Sequence, residues 1–246
     1  MKKIDMHCHI LPGIDDGSAN PKETLTMLRM ALKQDFVGMI VTPHGSVQNA
    51  STERVEEIRI LIKKFRIQAY QRLGIRLPVF PGQEIMYSVD TRQLLKEGKL
   101  LTLADSRYIL LEFMPGTPYS KIYSAVRQMQ TTGYIPILAH VERYHVLREE
   151  GRIDELIEAG ARIQMNYSSV GGSWNNNTAQ CCKKQLKNRC VHYLGTDMHN
   201  SGEQSPETEH AEKWMQKNPD EEYIWALVQG NARRILDDRG SMRKSK

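Results

Sequence analysis

Short apolar segments alternate with longer amphipathic ones along most of the 246-residue chain. The short segments are rich in β-branched or large apolar residues and are bounded by polar or turn-forming residues, which is typical of strands buried on both faces. This pattern predicts seven strands: Lys3 to Met6, Val37 to Val41, Leu77 to Phe80, Tyr108 to Phe113, Ile135 to Leu138, Arg162 to Met165 and Val191 to Leu194.

Between these segments, apolar residues recur every three or four positions, as on one face of a helix. Helices are predicted over Pro21 to Gln34, Val55 to Leu73, Tyr119 to Thr131, Ile153 to Glu158, Thr178 to Asn188, Glu207 to Gln216 and Glu221 to Leu236. Repeated strand-then-helix units favour a parallel sheet with right-handed crossovers. Because closure removes the unpaired edges, we expect a barrel, with an open doubly wound sheet as the alternative.

The composition, 40% apolar and 26% charged, is that of an ordinary globular enzyme. We expect a single domain over residues 1–238, followed by a basic tail over residues 239–246 that is disordered. The net charge of +5 is spread through the predicted helices, which indicates a solvated surface and no nucleic-acid partner. No apolar run is long enough to span a membrane, so we expect a cytoplasmic protein without direct membrane insertion.

The cysteines show no spacing typical of a disulfide framework or a zinc site, so we expect them to be reduced. The cysteine phosphatase loop requires an arginine six positions after its nucleophilic thiolate. The residues found there are Ile14, Lys187, Asn188 and Thr196. The chain also lacks the G-x-x-x-x-G-K-[ST] loop of many nucleotide-binding proteins. Both routes to phosphate chemistry are therefore excluded.

Residues that bind metals well follow almost every predicted strand. Parallel strands of a barrel end at one mouth, where the loops carry the chemistry in this architecture. Side chains two positions apart on a strand point the same way, which pairs His7 with His9 and Asp197 with His199. The full set is His7 and His9, Asp15 and Asp16 in the next loop, His44, Glu84, Glu112, His140, Asp197 and His199.

Each of these residues has an ordinary explanation when it is taken alone. A single histidine at a strand end is more often a hydrogen-bonded structural residue, and a single glutamate is usually solvated. Several carboxylates in one cleft without cations would cost several kcal/mol in repulsion and desolvation. The set as a whole therefore predicts a metallohydrolase with two or three divalent ions, and its mixed nitrogen and oxygen ligands suit Mn, Fe, Co or Zn.

As an ordered set, these segments resemble the polymerase and histidinol phosphatase (PHP) superfamily. Within it, the chain is similar to the manganese-dependent protein-tyrosine phosphatases encoded with bacterial capsule and exopolysaccharide genes. The resemblance runs from Met1 to about Asp238. Its motifs are His7-Cys8-His9, Thr42-Pro43-His44, Gly82-Gln83-Glu84, Ala139 to Tyr144, Gly195 to Asn200 and Gly230 to Leu236.

The resemblance implies a distorted (β/α)7 TIM-like barrel with a trinuclear centre, most simply of Mn²⁺. Asp15 remains an alternative to Asp16, because the register of their loop is not fixed by the sequence. Carried over by motif, one ion would be held by His7, His9, Glu84 and Asp197, a second by Glu84, Glu112 and His140, and a third by Asp16, His44 and His199.

The implied activity is hydrolysis of phosphotyrosine on proteins by metal-activated hydroxide. The implied substrate is the tail of a bacterial tyrosine kinase of capsule synthesis. Arg143 would grip phosphate oxygens through its planar guanidinium, and Asp197 and His199 are candidate general acids. Some relatives carry an arginine five residues after the last histidine, where this chain has Gln204, and basic residues where it has Gly45 and Ser46.

Two other functions remain open from the sequence. One is a small-molecule phosphatase of the same superfamily, acting on histidinol phosphate or a nucleotide. The other is a non-catalytic module that keeps the barrel and binds the kinase tail. The complete set of candidate ligands argues against the second, since a binding module has no need of it.

Overall fold

The computed structural model describes residues 1–171, 176–218 and 220–241. Its strands pair in parallel throughout this part of the chain. One sheet has the order β1-β2-β4 and the other the order β3-β5-β6-β7-β8-β9. The strands are β1 Lys3–Asp5, β2 Phe36–Val41, β3 His44–Gly45, β4 Val79–Pro81, β5 Glu84–Met86, β6 Tyr108–Glu112, β7 Ile135–Leu138, β8 Arg162–Asn166 and β9 Tyr193–Gly195.

Helices connect most of these strands, so the fold is mixed α/β, as predicted. None of the helices in the described part of the chain combines the length and apolarity that a membrane span requires. A π-helical segment, Ala226–Gly230, joins the last two helices. The helices are α1 Pro21–Lys33, α2 Thr52–Leu73, α3 Thr91–Lys96, α4 Tyr119–Thr131, α5 Arg152–Glu158, α6 Tyr167–Val170, α7 Asn177–Lys187, α8 Glu209–Gln216, α9 Glu221–Trp225 and α10 Asn231–Asp237.

The second and third predicted strands are each followed, after two residues, by a further short strand that was not predicted. Thr42 and Pro43 separate β2 from β3, and Gly82 and Gln83 separate β4 from β5. Proline has no backbone N–H to contribute to a ladder, which explains the first break. After the breaks, β3 and β5 pair in register with His44 opposite Glu84. The interruptions therefore bring two predicted ligands side by side.

The segments that follow β1 and β9 join the two sheets. Cys8 and Met198 form an isolated parallel bridge, and the backbone N–H of Asp197 donates to the carbonyl of His7 at 2.9 Å. Buried Asp5 reinforces this junction, because its carboxylate accepts from the Thr196 hydroxyl at 2.6 Å. The first and last motifs that contain candidate metal ligands are thus held together by main-chain hydrogen bonds.

Alternation along the strands separates two apolar clusters. In β6, Ile109 and Leu111 pack in the larger cluster with the surrounding helices. Leu110 belongs to a second cluster that combines strand residues of both sheets with Ala232 and Ile235 of α10. Glu112 lies two positions after Leu110, so it shares the face of that second cluster. The inner face of the strands is therefore apolar along most of its length and polar at the C-terminal ends.

The start of the predicted basic tail contacts the fold. The guanidinium of Arg239 lies 5.0 Å from the centroid of the Phe80 ring, and the backbone N–H of Gly240 donates to the carbonyl of Asp105 at 3.0 Å. Residues 242–246 lie outside the described residues. For them, disorder stays a prediction.

We expect His192, which precedes β9, to make stability depend on pH. Burial, followed by the positive charge of Arg162, lowers the pKa of His192 to about 4 from 6.5, and its Nδ1 accepts from the N–H of Ile163 at 3.2 Å. Between these two pH values the unfolded chain binds a proton that the folded chain excludes. The contribution of His192 to stability is therefore present above pH 6.5 and is lost as the pH falls toward 4, by roughly 2–3 kcal/mol.

Urea denaturation of the parent and of His192→Asn across this range measures the effect, because the asparagine oxygen can accept from the same N–H. The difference in unfolding free energy between the two proteins should shrink as the pH falls. Exposed His145 provides the matched control, since His145→Asn should leave the pH profile parallel to the parent's. Parallel profiles for His192→Asn would contradict the assignment.

Candidate metal centre

All of the predicted ligand side chains meet at the C-terminal ends of the strands. The structure contains three overlapping groups whose potential ligand atoms lie within 4.8 Å of one another. Glu84 belongs to two of the groups, and so do His9 and His44. The groups are His7, His9, Glu84 and Asp197; His44, Glu84 and Glu112; and His9, Asp16, His44 and His199.

Glu84 lies at the centre of the cluster and is 1% exposed. Its Oε1 lies 2.7 Å from Nε2 of His140 and 3.3 Å from Nε2 of His7. Its Oε2 lies 3.2 Å from Nδ1 of His44 and 3.3 Å from Nε2 of His9. One carboxylate therefore faces four histidines from three segments of the chain.

Two residues of the cluster have left-handed backbone conformations. His140 has φ 30° and Asp197 has φ 51°, and neither is a glycine. Such conformations are unfavourable for residues with a side chain and persist where the surrounding structure imposes them, often at functional sites. Both lie two residues after the end of a strand, and their side chains face the other candidate ligands. His140 thereby reaches Glu84 and also lies 3.5 Å from Oε1 of Glu112.

The structure gives the two adjacent aspartates different positions. Oδ1 of Asp16 lies 3.2 Å from Nε2 of His44 and 3.6 Å from Nε2 of His199. Asp15 lies behind the cluster, where its Oδ2 contacts Nδ1 of His9 at 2.9 Å and accepts from the N–H of His44 at 3.1 Å. Asp16 therefore faces the cluster beside His44 and His199, and Asp15 holds His9 and the backbone of His44 by hydrogen bonds.

Gly17 fixes the register of this loop. A Cβ atom on Gly17 would lie 2.1 Å from the carbonyl oxygen of His9. Only glycine permits this approach. The close contact holds the loop against the first histidine motif and leaves the Asp16 carboxylate facing the cluster.

The cluster attracts positive charge strongly. Burial lowers the pKa of His7, but the carboxylates of Glu84 and Asp197 outweigh it and raise that pKa to about 9. For His9, burial is likewise outweighed, by Asp15 and Glu84, and the pKa rises to about 10. Burial and then the negative charge of Glu84 raise the pKa of Glu112. Without other cations, protons on the histidines must balance the carboxylates.

One buried carboxylate oxygen of the site accepts no hydrogen bond. Oδ1 of Asp197 is buried and accepts no hydrogen bond, although it lies 3.3 Å from Nε2 of His7 and 3.6 Å from Nε2 of His9. A buried carboxylate oxygen without a partner is costly. Two imidazole nitrogens and a free carboxylate oxygen aimed at one point fit a divalent transition metal, which accepts such mixed ligands.

Arg143 lies at the rim of this centre. Its side chain is 43% exposed, and its Nη2 donates to Oδ2 of Asp197. Gln204 contributes its main chain nearby, since its carbonyl accepts from the N–H of His199 at 3.0 Å. Arg143 is therefore the predicted phosphate ligand that the structure places beside the cluster.

Two polar residues of the site were not predicted. Gln164 and Asn166 are buried on β8, and they contact His7, His140 and Asp197. A signal existed, because Gln164 in the predicted strand and Asn166 just after its end are two positions apart and so share one face. Their residue types are not among those that typically bind transition metals, so the pattern of candidate ligands does not include them.

Comparison with known proteins places the chain among bacterial phosphatases. YwqE of Bacillus subtilis, a tyrosine-protein phosphatase, is 31% identical over 240 residues, which cover 95% of this chain and 91% of YwqE. CpsB of Streptococcus pneumoniae, also a tyrosine-protein phosphatase, is 29% identical over 243 residues, which cover 96% of this chain and 98% of CpsB.

Solved structures also show similarity to metal-dependent tyrosine phosphatases. A crystal structure from a study of YwqE and CpsB, described as unique metal-dependent tyrosine phosphatases, matches with a TM-score of 0.83 and 29% identity over 96% of this chain and 95% of that one. A histidinol phosphate phosphatase from Lactococcus lactis matches with a TM-score of 0.56 and 14% identity, covering 89% and 94%. That match shows the fold alone.

The family assignment rests on nearly the whole chain. The family model described as "Capsular polysaccharide synthesis, CpsB/CapC" matches residues 3–237. This range contains every candidate ligand. The expected relationship to the metal-dependent tyrosine phosphatases of capsule synthesis is confirmed. The chain belongs to the CpsB/CapC family of capsular polysaccharide synthesis proteins.

Proposed function

We propose that this protein is a metal-dependent phosphatase that hydrolyses phosphotyrosine on proteins. The observation that carries the proposal is the convergence of histidines and carboxylates around Glu84, with Oδ1 of Asp197 buried and unpartnered. The family membership and the tyrosine phosphatases among its relatives support the same activity. Retention of the whole cluster argues against a non-catalytic binding module.

The proposed ligand sets follow the three spatial groups. Glu84 would be shared between two ions, and His140 would add to the second group through the nitrogen that faces Glu84 and Glu112. Divalent ions held there, for which we propose Mn²⁺, would neutralise phosphoryl oxygens and lower the pKa of water from 15.7 to about 7. The proposed ligands are His7, His9, Asp16, His44, Glu84, Glu112, His140, Asp197 and His199.

The chain's own residues would bind and orient the phosphoryl group. Arg143 has donors besides the one that contacts Asp197, and its partly exposed side chain lies at the mouth. The Asp197 contact holds the guanidinium plane beside the cluster, so its remaining N–H groups can grip phosphate oxygens.

The departing group needs little help from a general acid. A phenol has a pKa near 10, so it can leave as phenolate beside a cation. The Nδ1 of His199 contacts the carbonyl of Asp197 at 2.8 Å, which leaves Nε2 toward the open side. The candidate general acids His199 and Asp197 are both proposed metal ligands, and Asp197 also accepts from Arg143 and Asn166, so we propose that phenolate departs without a proton from either.

The proposed substrate is a phosphotyrosine-bearing tail of a tyrosine kinase of capsule or exopolysaccharide synthesis, in the cytoplasm. The relatives named tyrosine-protein phosphatases and the capsule family support this choice. We further propose that β2 with β3, and β4 with β5, are each one interrupted strand of a distorted (β/α)7 barrel. We also propose that this single domain spans residues 1–238.

Turnover of matched substrates tests the proposal. Protein stripped with a chelator and reloaded with Mn²⁺ should hydrolyse phosphotyrosine peptides with a kcat/KM at least about tenfold above that for histidinol phosphate. Both activities should disappear with EDTA and return with Mn²⁺. A preference of about tenfold or more for histidinol phosphate would favour the small-molecule function, and EDTA-insensitive hydrolysis would contradict the metal centre.

A further inference from the structure

Gln164 and Asn166 form a buried chain of hydrogen bonds behind the metal centre. Both are on β8, and they are 0% and 4% exposed. Oε1 of Gln164 accepts from the backbone N–H of His140 at 2.7 Å and contacts Nδ1 of His7 at 3.1 Å. Its Nε2 donates to Oδ1 of Asn166 at 2.9 Å, and Nδ2 of Asn166 donates to Oδ2 of Asp197 at 2.8 Å.

One backbone donor determines which way the amide groups of Gln164 and Asn166 point. A backbone N–H can only donate, so the atom of Gln164 that faces His140 must be its oxygen. His7 can approach that oxygen only with a proton on Nδ1, which directs the lone pair of Nε2 toward the cluster. The nitrogen of Gln164 then requires an acceptor, so Asn166 turns its oxygen inward and its nitrogen toward Asp197.

The two carboxylate oxygens of Asp197 therefore have different surroundings. Oδ2 accepts from Asn166, whereas Oδ1 is left buried without a partner and lies near His7 and His9. Gly195 allows the strands to approach this closely, since a Cβ there would lie 2.8 Å from Cβ of His7 and 3.1 Å from Nε2 of Gln164. The amides are thus packed directly against the residues they orient.

We propose that Gln164 and Asn166 are positioning residues that select the atoms His7 and Asp197 present to a metal ion. Gln164 also anchors the left-handed turn that aims His140, through the same oxygen. The inference rests on the proposed metal centre. Hydrogen-bonded partners behind metal ligands typically contribute 10- to 100-fold to metal affinity, and here two neutral amides serve three ligands from three strand ends.

Mn²⁺ affinity of chelator-treated protein, measured by titration calorimetry, tests the inference without using turnover. Gln164→Ala removes the acceptor of both histidines and should weaken Mn²⁺ binding about 10- to 100-fold. Asn166→Asp keeps the shape but replaces the donor to Asp197 with an oxygen, so it should also weaken binding by at least about tenfold. Gln164→Glu retains an acceptor for His7 and His140, so it should bind more tightly than Gln164→Ala.

Met165→Ala is the matched control on the same strand. Met165 lies between the two amides, is 1% exposed and packs in the apolar cluster, so its truncation costs stability without removing a hydrogen bond. It should lower the thermal unfolding midpoint while leaving Mn²⁺ affinity within about twofold of the parent. The rise in the midpoint on adding Mn²⁺ should follow the same order as the affinities.

The outcomes separate the inference from the proposed function. If the parent binds Mn²⁺ and both Gln164→Ala and Asn166→Asp bind it equally tightly, the positioning role is wrong and the metal centre stands. If the parent binds no stoichiometric transition metal, both proposals fail. Should Gln164→Ala not fold, the isosteric Asn166→Asp decides, with weakened binding supporting the inference and parental binding overturning it.

Discussion

Glu84→Gln is expected to lower turnover of an aryl phosphate by about 10³-fold, equivalent to roughly 4 kcal/mol of transition-state stabilisation. Glu84 faces four histidine nitrogens within 3.3 Å and belongs to two of the three candidate ligand groups. The amide keeps the side-chain shape but removes the negative charge, so two ions would be affected together. Steady-state kinetics with saturating Mn²⁺ measures the loss.

A carboxylate at the opposite end of the strands provides the control. Glu212 forms an ion pair with buried Lys3 at the start of β1, so Glu212→Gln should reduce stability and leave the kcat of the folded protein near that of the parent. Elemental analysis of Glu84→Gln should also find fewer bound ions. Parental activity and metal content in Glu84→Gln would contradict the central place given to this residue.

The local pattern of the sequence was sufficient for the elements with strong amphipathic contrast. The helix Tyr119–Thr131 and the strand Ile135–Leu138 have the predicted bounds. The strands β3 and β5 were missed because two or three residues are too short to show a period. Their existence depends on pairing with each other, which is a tertiary contact.

The sequence predicts which residues converge at the candidate site, but not how each loop and turn orients them. Parallel strands bring their C-terminal ends together, so residue types at strand ends were enough to collect the cluster. The placement of Asp16 rather than Asp15 beside His44 and His199 depends on the approach of Gly17 to the His9 carbonyl, a contact that residue types alone do not reveal. The left-handed turns at His140 and Asp197 are likewise imposed by surrounding contacts.

Arg143→Lys is expected to lower kcat/KM for a phosphotyrosine peptide by about 10- to 100-fold, and Arg143→Ala by about 10²- to 10³-fold. The guanidinium can contact Asp197 through one nitrogen and still offer a planar pair of donors to phosphate. A lysine ammonium is a point charge without this geometry. Because Gln204 is uncharged, no cation at that position compensates for the loss.

Metal content distinguishes a lost phosphate ligand from a disturbed metal site. Arg143 touches Asp197, but Asp197 keeps its hydrogen bond from Asn166 at 2.8 Å, so both variants should bind Mn²⁺ as the parent does. Arg148 supplies the control, since this nearby arginine donates to Thr178 and to the carbonyl of Glu142 and not to the candidate ligands. Arg148→Lys should therefore retain parental kcat/KM. Full turnover by Arg143→Lys with parental metal content would contradict the need for a planar guanidinium, and full turnover by Arg143→Ala would contradict any role of Arg143 in holding the phosphoryl group.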